Sequence, residues 1–221
     1  MKKQIFLKVV AVIWAISGVI ILISIAWPIL SYQSYSKEKY PSLINPIPAQ
    51  KPTAITDDLD LTKASNWFYG GAAKEEFYAS KISFYTISIP KLKIENAVVA
   101  IGGDDLSKSL IQYPGTAVPG KLGNSVIFGH SVLPIFFNPK EYISIFSTLP
   151  SLKKGDGIIV NYDGVAYQYV VESNFDVYPT DIQVIQQDKT DSFLTLVTCV
   201  PPGDPRKPKR HIVRARVVPL Q

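Results

Sequence analysis

The chain carries one thiol and two imidazoles, so any cysteine–histidine chemistry must be built from Cys199, His130 and His211. Cys199 stands in FLTLVTCVPPG, residues 193–203, an apolar run that ends on the thiol and then breaks into two prolines. Those residues alone support two readings: a small buried hydrophobe in a core strand, or a nucleophile presented where a strand gives way to a loop. The second requires thiolate character, which a nearby cation or imidazolium supplies. His130 closes NSVIFGH and His211 lies inside HIVRARVV; each, taken alone, fits a hydrogen-bonded structural imidazole as well as a catalyst. Arg210 follows the thiol by 210 − 199 = 11 residues, across a proline-rich loop. If the two flanking strands pair as a hairpin, Arg210 comes near the level of Cys199. Alternation places Val213, Ala215 and Val217 on one face and Arg210, Ile212, Arg214, Arg216 and Val218 on the other. The arginines therefore point away from the more apolar face, toward an outer groove, although parity does not separate Arg210 from Arg214.

The elements that must position these groups read as short β segments from about Lys81 onward, the pattern of an all-β sandwich or barrel. They are Ile82–Ile89, Asn96–Gly102, Asn124–His130, the long Gly157–Tyr178, Ser192–Cys199 and His211–Val218. Within the fourth, Asp163-Gly164 between alternating runs predicts a tight hairpin, and KEYISIFSTLPSLKK predicts a helical or irregular excursion. Upstream, residues 31–80 have a Tyr, Ser, Pro and Asp composition that reads as a stalk, with a short helix over Ala72–Ala79. Asp57, Asp58 and Asp60 read as solvated linker charge. Residues 1–30 hold a cytoplasmic tip and an uncharged stretch that begins at Val9, long enough for the ~20 apolar residues of a spanning helix. The stretch is too long for a typical signal-peptide core, so an uncleaved signal anchor is expected. Lys2, Lys3 and Lys8 favour an inside N-terminus, and the rest of the chain would lie outside. An unpaired cysteine there stabilises nothing as a disulfide. The net charge of +5, without any nucleic-acid motif, argues against nucleic-acid binding, and one cysteine with two histidines is too few for a closed zinc site.

Four blocks, in order, resemble the sortases, a family of cell-wall cysteine transpeptidases: YPGTAVPGKLGNSVIFGH (113–130), IFSTLPSLKKGDGIIV (145–160), TLVTC (195–199) and RHIVRARV (210–217). The resemblance covers roughly the last 140 residues. It implies a closed, roughly eight-stranded β-barrel over residues 81–221, with an outer groove for a Leu-Pro-x-Thr-Gly-like sorting signal. It further implies Cys199 as nucleophile, His130 as general acid and then base, Arg210 as donor to the substrate carbonyl or oxyanion, and Thr198 lining the oxyanion site. No cofactor is implied. The implied partners are proteins bearing a C-terminal sorting signal and an amine acceptor, such as a peptidoglycan precursor or a pilin lysine, met at the cell membrane by a single-pass enzyme with an extracytoplasmic catalytic domain. Two departures stand out: Ser131 follows the histidine where an arginine is common, and VLPIFFNPKEY (132–142) is unusually apolar. The Asp-Pro-aromatic motif with which many pilus-building members cover their site is absent, since Asp57-Asp58 is not followed by proline. Other classes to be weighed are a tethered wall-organising module with an incidental thiol, and a cysteine peptidase that hydrolyses without transfer.

Overall fold

A computed structural model describes residues 2–40, 60–68 and 84–219. Asp57 and Asp58, the helix expected over 72–79, the boundary at 81 and the first two residues of the first expected strand lie outside the described residues. The barrel strands are β1 (Phe84–Ile89), β2 (Ile94–Ile101), β3 (Leu110–Gln112), β4 (Gly123–Phe128), β5 (Gly157–Tyr162), β6 (Val165–Val177), β7 (Ser192–Val200) and β8 (Lys209–Val218). They close in the order β1-β2-β3-β4-β7-β8-β6-β5. β2/β3 and β4/β7 are parallel and the other pairs antiparallel. The sequence did not announce β3, which is three residues long and buried on every side chain, leaving no alternation to read.

Local chemistry explains the main features. Asp163 and Gly164 both take positive φ, 51° and 74°, which matches a two-residue turn to the twist of β5 and β6. Alternate residues of the strands turn inward, so that Ile87, Val99, Ile127, Leu194, Leu196 and Val213 share one interior cluster. Each such side chain contributes roughly 1.5–3 kcal/mol through burial. The excursion after β4 is a series of turns ending in a 3-10 turn at Leu149–Ser151.

A second apolar cluster lies on the outside of the sheet. Val126, Phe128, Val197, Cys199 and Ile212 belong to it, together with Ala64, Trp67 and Phe68 from the segment upstream of the barrel. β7 has strands on both sides, the interior on one face and this cluster on the other, so all nine of its residues are buried.

The N-terminal helix α1 (Lys2–Lys39) contains a stretch, Leu7–Ser36, long and apolar enough to cross a membrane. It continues past the point where a stalk was expected, through residues 31–39. No proline follows Pro28 until Pro41, so nothing in the sequence ends the helix earlier.

Candidate active site

Register assembles the site. β4 and β7 run parallel with a constant offset, 192 − 123 = 69 at one end and 197 − 128 = 69 at the other. The pairing continues one step further, since the Gly129 amide donates to the Val197 carbonyl at 3.1 Å. At the same offset His130 stands level with Cys199, because 199 − 130 = 69. On the other side of β7, Cys199 is paired directly with Arg210 of β8, whereas Arg214 is paired with Thr195. Thiol, guanidinium and imidazole therefore come to one level, on β7, on β8 and just past the end of β4, and register separates the two arginines that parity could not.

The turn into His130 requires glycine. A Cβ on Gly129 would run into the Phe146 ring and lie 2.6 Å from a Leu110 methyl. The His130 carbonyl is held by the Phe146 amide at 2.9 Å, and the Ser131 hydroxyl donates to the Cys199 carbonyl at 2.6 Å. The serine that replaces the expected arginine thus ties the histidine's loop to the cysteine's strand. Thr198 alternates with Cys199 and so points to the other face of β7; its hydroxyl donates to the Gly129 carbonyl at 2.8 Å. His211, beside Arg210, also faces away from the thiol, with Nδ1 2.7 Å from an Asp176 carboxylate oxygen. Cys199, His130 and Arg210 are brought together; Thr198 and His211 stand behind them.

What covers the site was not foreseen from the residue pattern. Trp67, completely buried, stacks on Phe128 at 5.2 Å and lies 6.0 Å from the His130 ring and 5.4 Å from the Arg210 guanidinium. Its carbonyl accepts a hydrogen bond from Arg210 Nε at 3.1 Å. Arg210 Nη1 donates to the carbonyls of Lys207 and Lys209, at 2.8 and 3.2 Å. Residues 60–68 are held in place by Ala64 N to the Asp104 carbonyl (3.1 Å), Leu106 N to the Thr62 carbonyl (3.0 Å) and Ser65 N to the Asp104 carboxylate (3.0 Å). The only local signal in the sequence is a run of three aromatics, Trp67-Phe68-Tyr69, after a mostly polar stretch.

Covering has an electrostatic result. Cys199 is fully buried, Arg210 is 2% exposed and His130 5%. Burial, assisted by the positive charge of Lys207, pushes His130 down from 6.5 to about 4, against a smaller opposing pull from Asp60 and Asp105. At neutral pH the imidazole is therefore uncharged in this covered state, able to accept a proton but poorly able to keep one. Among the described residues no group of three or more His, Cys, Asp or Glu could hold a metal ion.

Comparison with known proteins agrees with this fold. Residues 87–218 match the family model described as Sortase domain. Sortase A of Bacillus anthracis is 32% identical over 136 residues, 60% of this chain and 58% of that protein. Sortase C1 from Streptococcus agalactiae superposes with a TM-score of 0.55 at 30% identity, over 66% of this chain and 74% of that one. A lid mutant of Sortase A from Corynebacterium diphtheriae superposes with a TM-score of 0.54 at 28% identity, over 65% and 74%. The matched region spans little more than half the length of the curated relatives.

Proposed function

The chain belongs to the sortase family, and we propose that it is a membrane-anchored cysteine transpeptidase acting on a Leu-Pro-x-Thr-Gly-like sorting signal. The observation that carries this reading is the common level of Cys199 on β7, Arg210 on β8 and His130 just beyond the end of β4. In the proposed reaction the Cys199 proton passes to His130 and the sulfur attacks the threonyl carbonyl carbon. The carbon–nitrogen bond breaks, and the departing amine takes the proton from His130. An incoming amine then attacks the thioester, gives a proton to His130 and releases the sulfur, so that a new amide replaces the old. Arg210 donates through its guanidinium to the oxygen on which negative charge builds. With its hydroxyl bonded to Gly129, Thr198 would meet the substrate through its main chain.

A polypeptide cannot reach a fully buried sulfur, so residues 60–68 must lift before substrate binds. The Trp67 carbonyl occupies Arg210 as a substrate carbonyl would. The covered state is thus self-blocked, and uncovering both vacates Arg210 and returns His130 to water, where it can hold a proton. A covering segment is compatible with the lid named for the Corynebacterium diphtheriae relative, although it is built here on Asn66-Trp67-Phe68 rather than on an Asp-Pro-aromatic motif.

The test is mass spectrometry of the full chain in detergent with a panel of Leu-Pro-x-Thr-x peptides, with and without oligoglycine or lysine-bearing acceptors, beside Cys199→Ala. An acyl adduct on Cys199 and an amine-dependent ligated product are expected, both absent in Cys199→Ala. A product distribution indifferent to amine would make the protein a hydrolase. Absence of any adduct in Trp67→Ala as well, where the thiol is uncovered, would leave a non-catalytic surface module.

A further inference from the structure

The far end of α1 is built into the barrel. Along its apolar stretch the side chains face outward, with Trp14 74%, Trp27 69% and Leu30 60% exposed, yet Ser36 and the next residue beyond the helix, Tyr40, are each only 4% exposed. Tyr40 continues the helical hydrogen bonding, its amide donating to the Ser36 carbonyl at 2.9 Å. The Tyr32 hydroxyl donates to the Asp176 carboxylate at 3.1 Å, and Asp176 also bonds His211 at 2.7 Å. The Tyr40 ring meets His211 edge-on at 4.7 Å, while its hydroxyl donates to the Pro150 carbonyl at 2.6 Å.

These contacts bear on the elements that carry the site. His211 is the neighbour of Arg210 and is paired with Thr198, the neighbour of Cys199. Pro150 lies in the excursion whose Phe146 amide holds the His130 carbonyl. His211 and Asp176 alternate inward, on the face opposite the thiol, so the helix end reaches the catalytic level from behind. A buried carboxylate and a buried imidazole are costly unless their polar atoms are matched. Tyr32 supplies one match to Asp176, and the Tyr40 ring packs on the imidazole, whose Nε2 is buried without a hydrogen-bond partner.

We propose that Tyr32 and Tyr40 are positioning residues for the transpeptidation proposed above: the last turns of the membrane helix complete the barrel end and fix the β7–β8 strands that carry Cys199 and Arg210. This rests on the transpeptidase reading and deepens it. A corollary concerns place. Tyrosine and tryptophan favour the membrane–water boundary, and Trp27 to Tyr40 is 13 residues, roughly 20 Å of helix at 1.5 Å per residue. The barrel is then seated close to the lipid surface in a set orientation, rather than carried at the end of a long tether.

The experiment uses the full chain in phospholipid nanodiscs and compares wild type with Tyr32→Phe, Tyr40→Phe and Tyr40→Ala. Amide hydrogen exchange over residues 209–213 is measured beside kcat and KM for peptide-to-amine transfer, at a temperature well below each variant's unfolding midpoint. Tyr40→Ala is expected to speed exchange in that segment and to lower kcat about tenfold with KM within about twofold, as misplacement of a catalytic group does. Tyr40→Phe keeps the ring on His211 and loses only the bond to Pro150, so it falls between. Purely structural residues would lower the unfolding midpoint and leave kcat alone. Unchanged exchange, or faster exchange with unchanged kcat, overturns the proposal. If the wild-type chain transfers nothing, the transpeptidase reading falls, and the exchange result alone decides whether the helix end fixes these strands.

Discussion

Replacing Trp67 by alanine should uncover the thiol, and the structure sets the size of the effect. Truncating a fully buried aromatic costs about 3–5 kcal/mol, and the four hydrogen bonds that hold residues 60–68, which the substitution leaves in place, contribute only about 1–3 kcal/mol each. Since Trp67 makes its contacts with Phe128, His130 and Arg210 only when the segment is down, the loss falls on the covered state. At 1.4 kcal/mol per decade, the covered-to-open ratio should drop about a hundred- to a few thousand-fold. Alkylation of Cys199 by iodoacetamide, followed by intact mass, reads this as a rate. The increase should be at least about tenfold even if the opened form saturates the signal, with Trp67→Phe in between. In the same variant the His130 midpoint should climb from about 4 toward the ordinary histidine value, because burial is the main cause of its depression. Alkylation within twofold of wild type, together with an unmoved His130 midpoint, would refute the idea that Trp67 closes the site.

Three further outcomes are expected. Arg210→Lys keeps the charge but loses the guanidinium fork that now reaches three carbonyls, so kcat should fall about a hundredfold or more in the peptide assay while the fold persists. Thr198→Val removes a buried hydroxyl bonded to Gly129; urea unfolding should show a loss of about 1–3 kcal/mol, whereas a fall in kcat/KM with unchanged stability would mean that the hydroxyl serves the substrate. His130 is depressed in the folded chain, so between its folded and unfolded pKa values the unfolded chain binds more protons. Its contribution to stability is full above about 6.5 and is lost as pH falls toward about 4, by up to about 3 kcal/mol; unfolding at pH 4.5 and 7.5 should show this, and His130→Gln should flatten it.

What could be read in the sequence follows from the kind of interaction each feature depends on. Alternation announced most of the barrel strands, and Asp163-Gly164 announced its hairpin, because inward burial and turn geometry are local in sequence. The grouping of His130, Cys199 and Arg210 is not local, yet the 69-residue spacing that marks it is the constant register offset of two parallel strands. A long-range contact therefore left a numerical trace. Trp67, Tyr32 and Tyr40 left none. Each is an aromatic residue in a segment whose composition reads as linker or membrane helix, and its partners lie far along the chain: Arg210 is 143 residues from Trp67, Asp176 is 144 from Tyr32 and Pro150 is 110 from Tyr40. Such contacts obey no period and fix no register, so only the folded surface reveals them. They also act on the site from opposite sides. Trp67 lies over the outer face and blocks Arg210, while the helix end braces the inner face behind it. In the proposed reaction the outer contact breaks in each cycle and the inner one holds, which fits a short segment tied down by a few hydrogen bonds in the first role and the end of a long helix in the second.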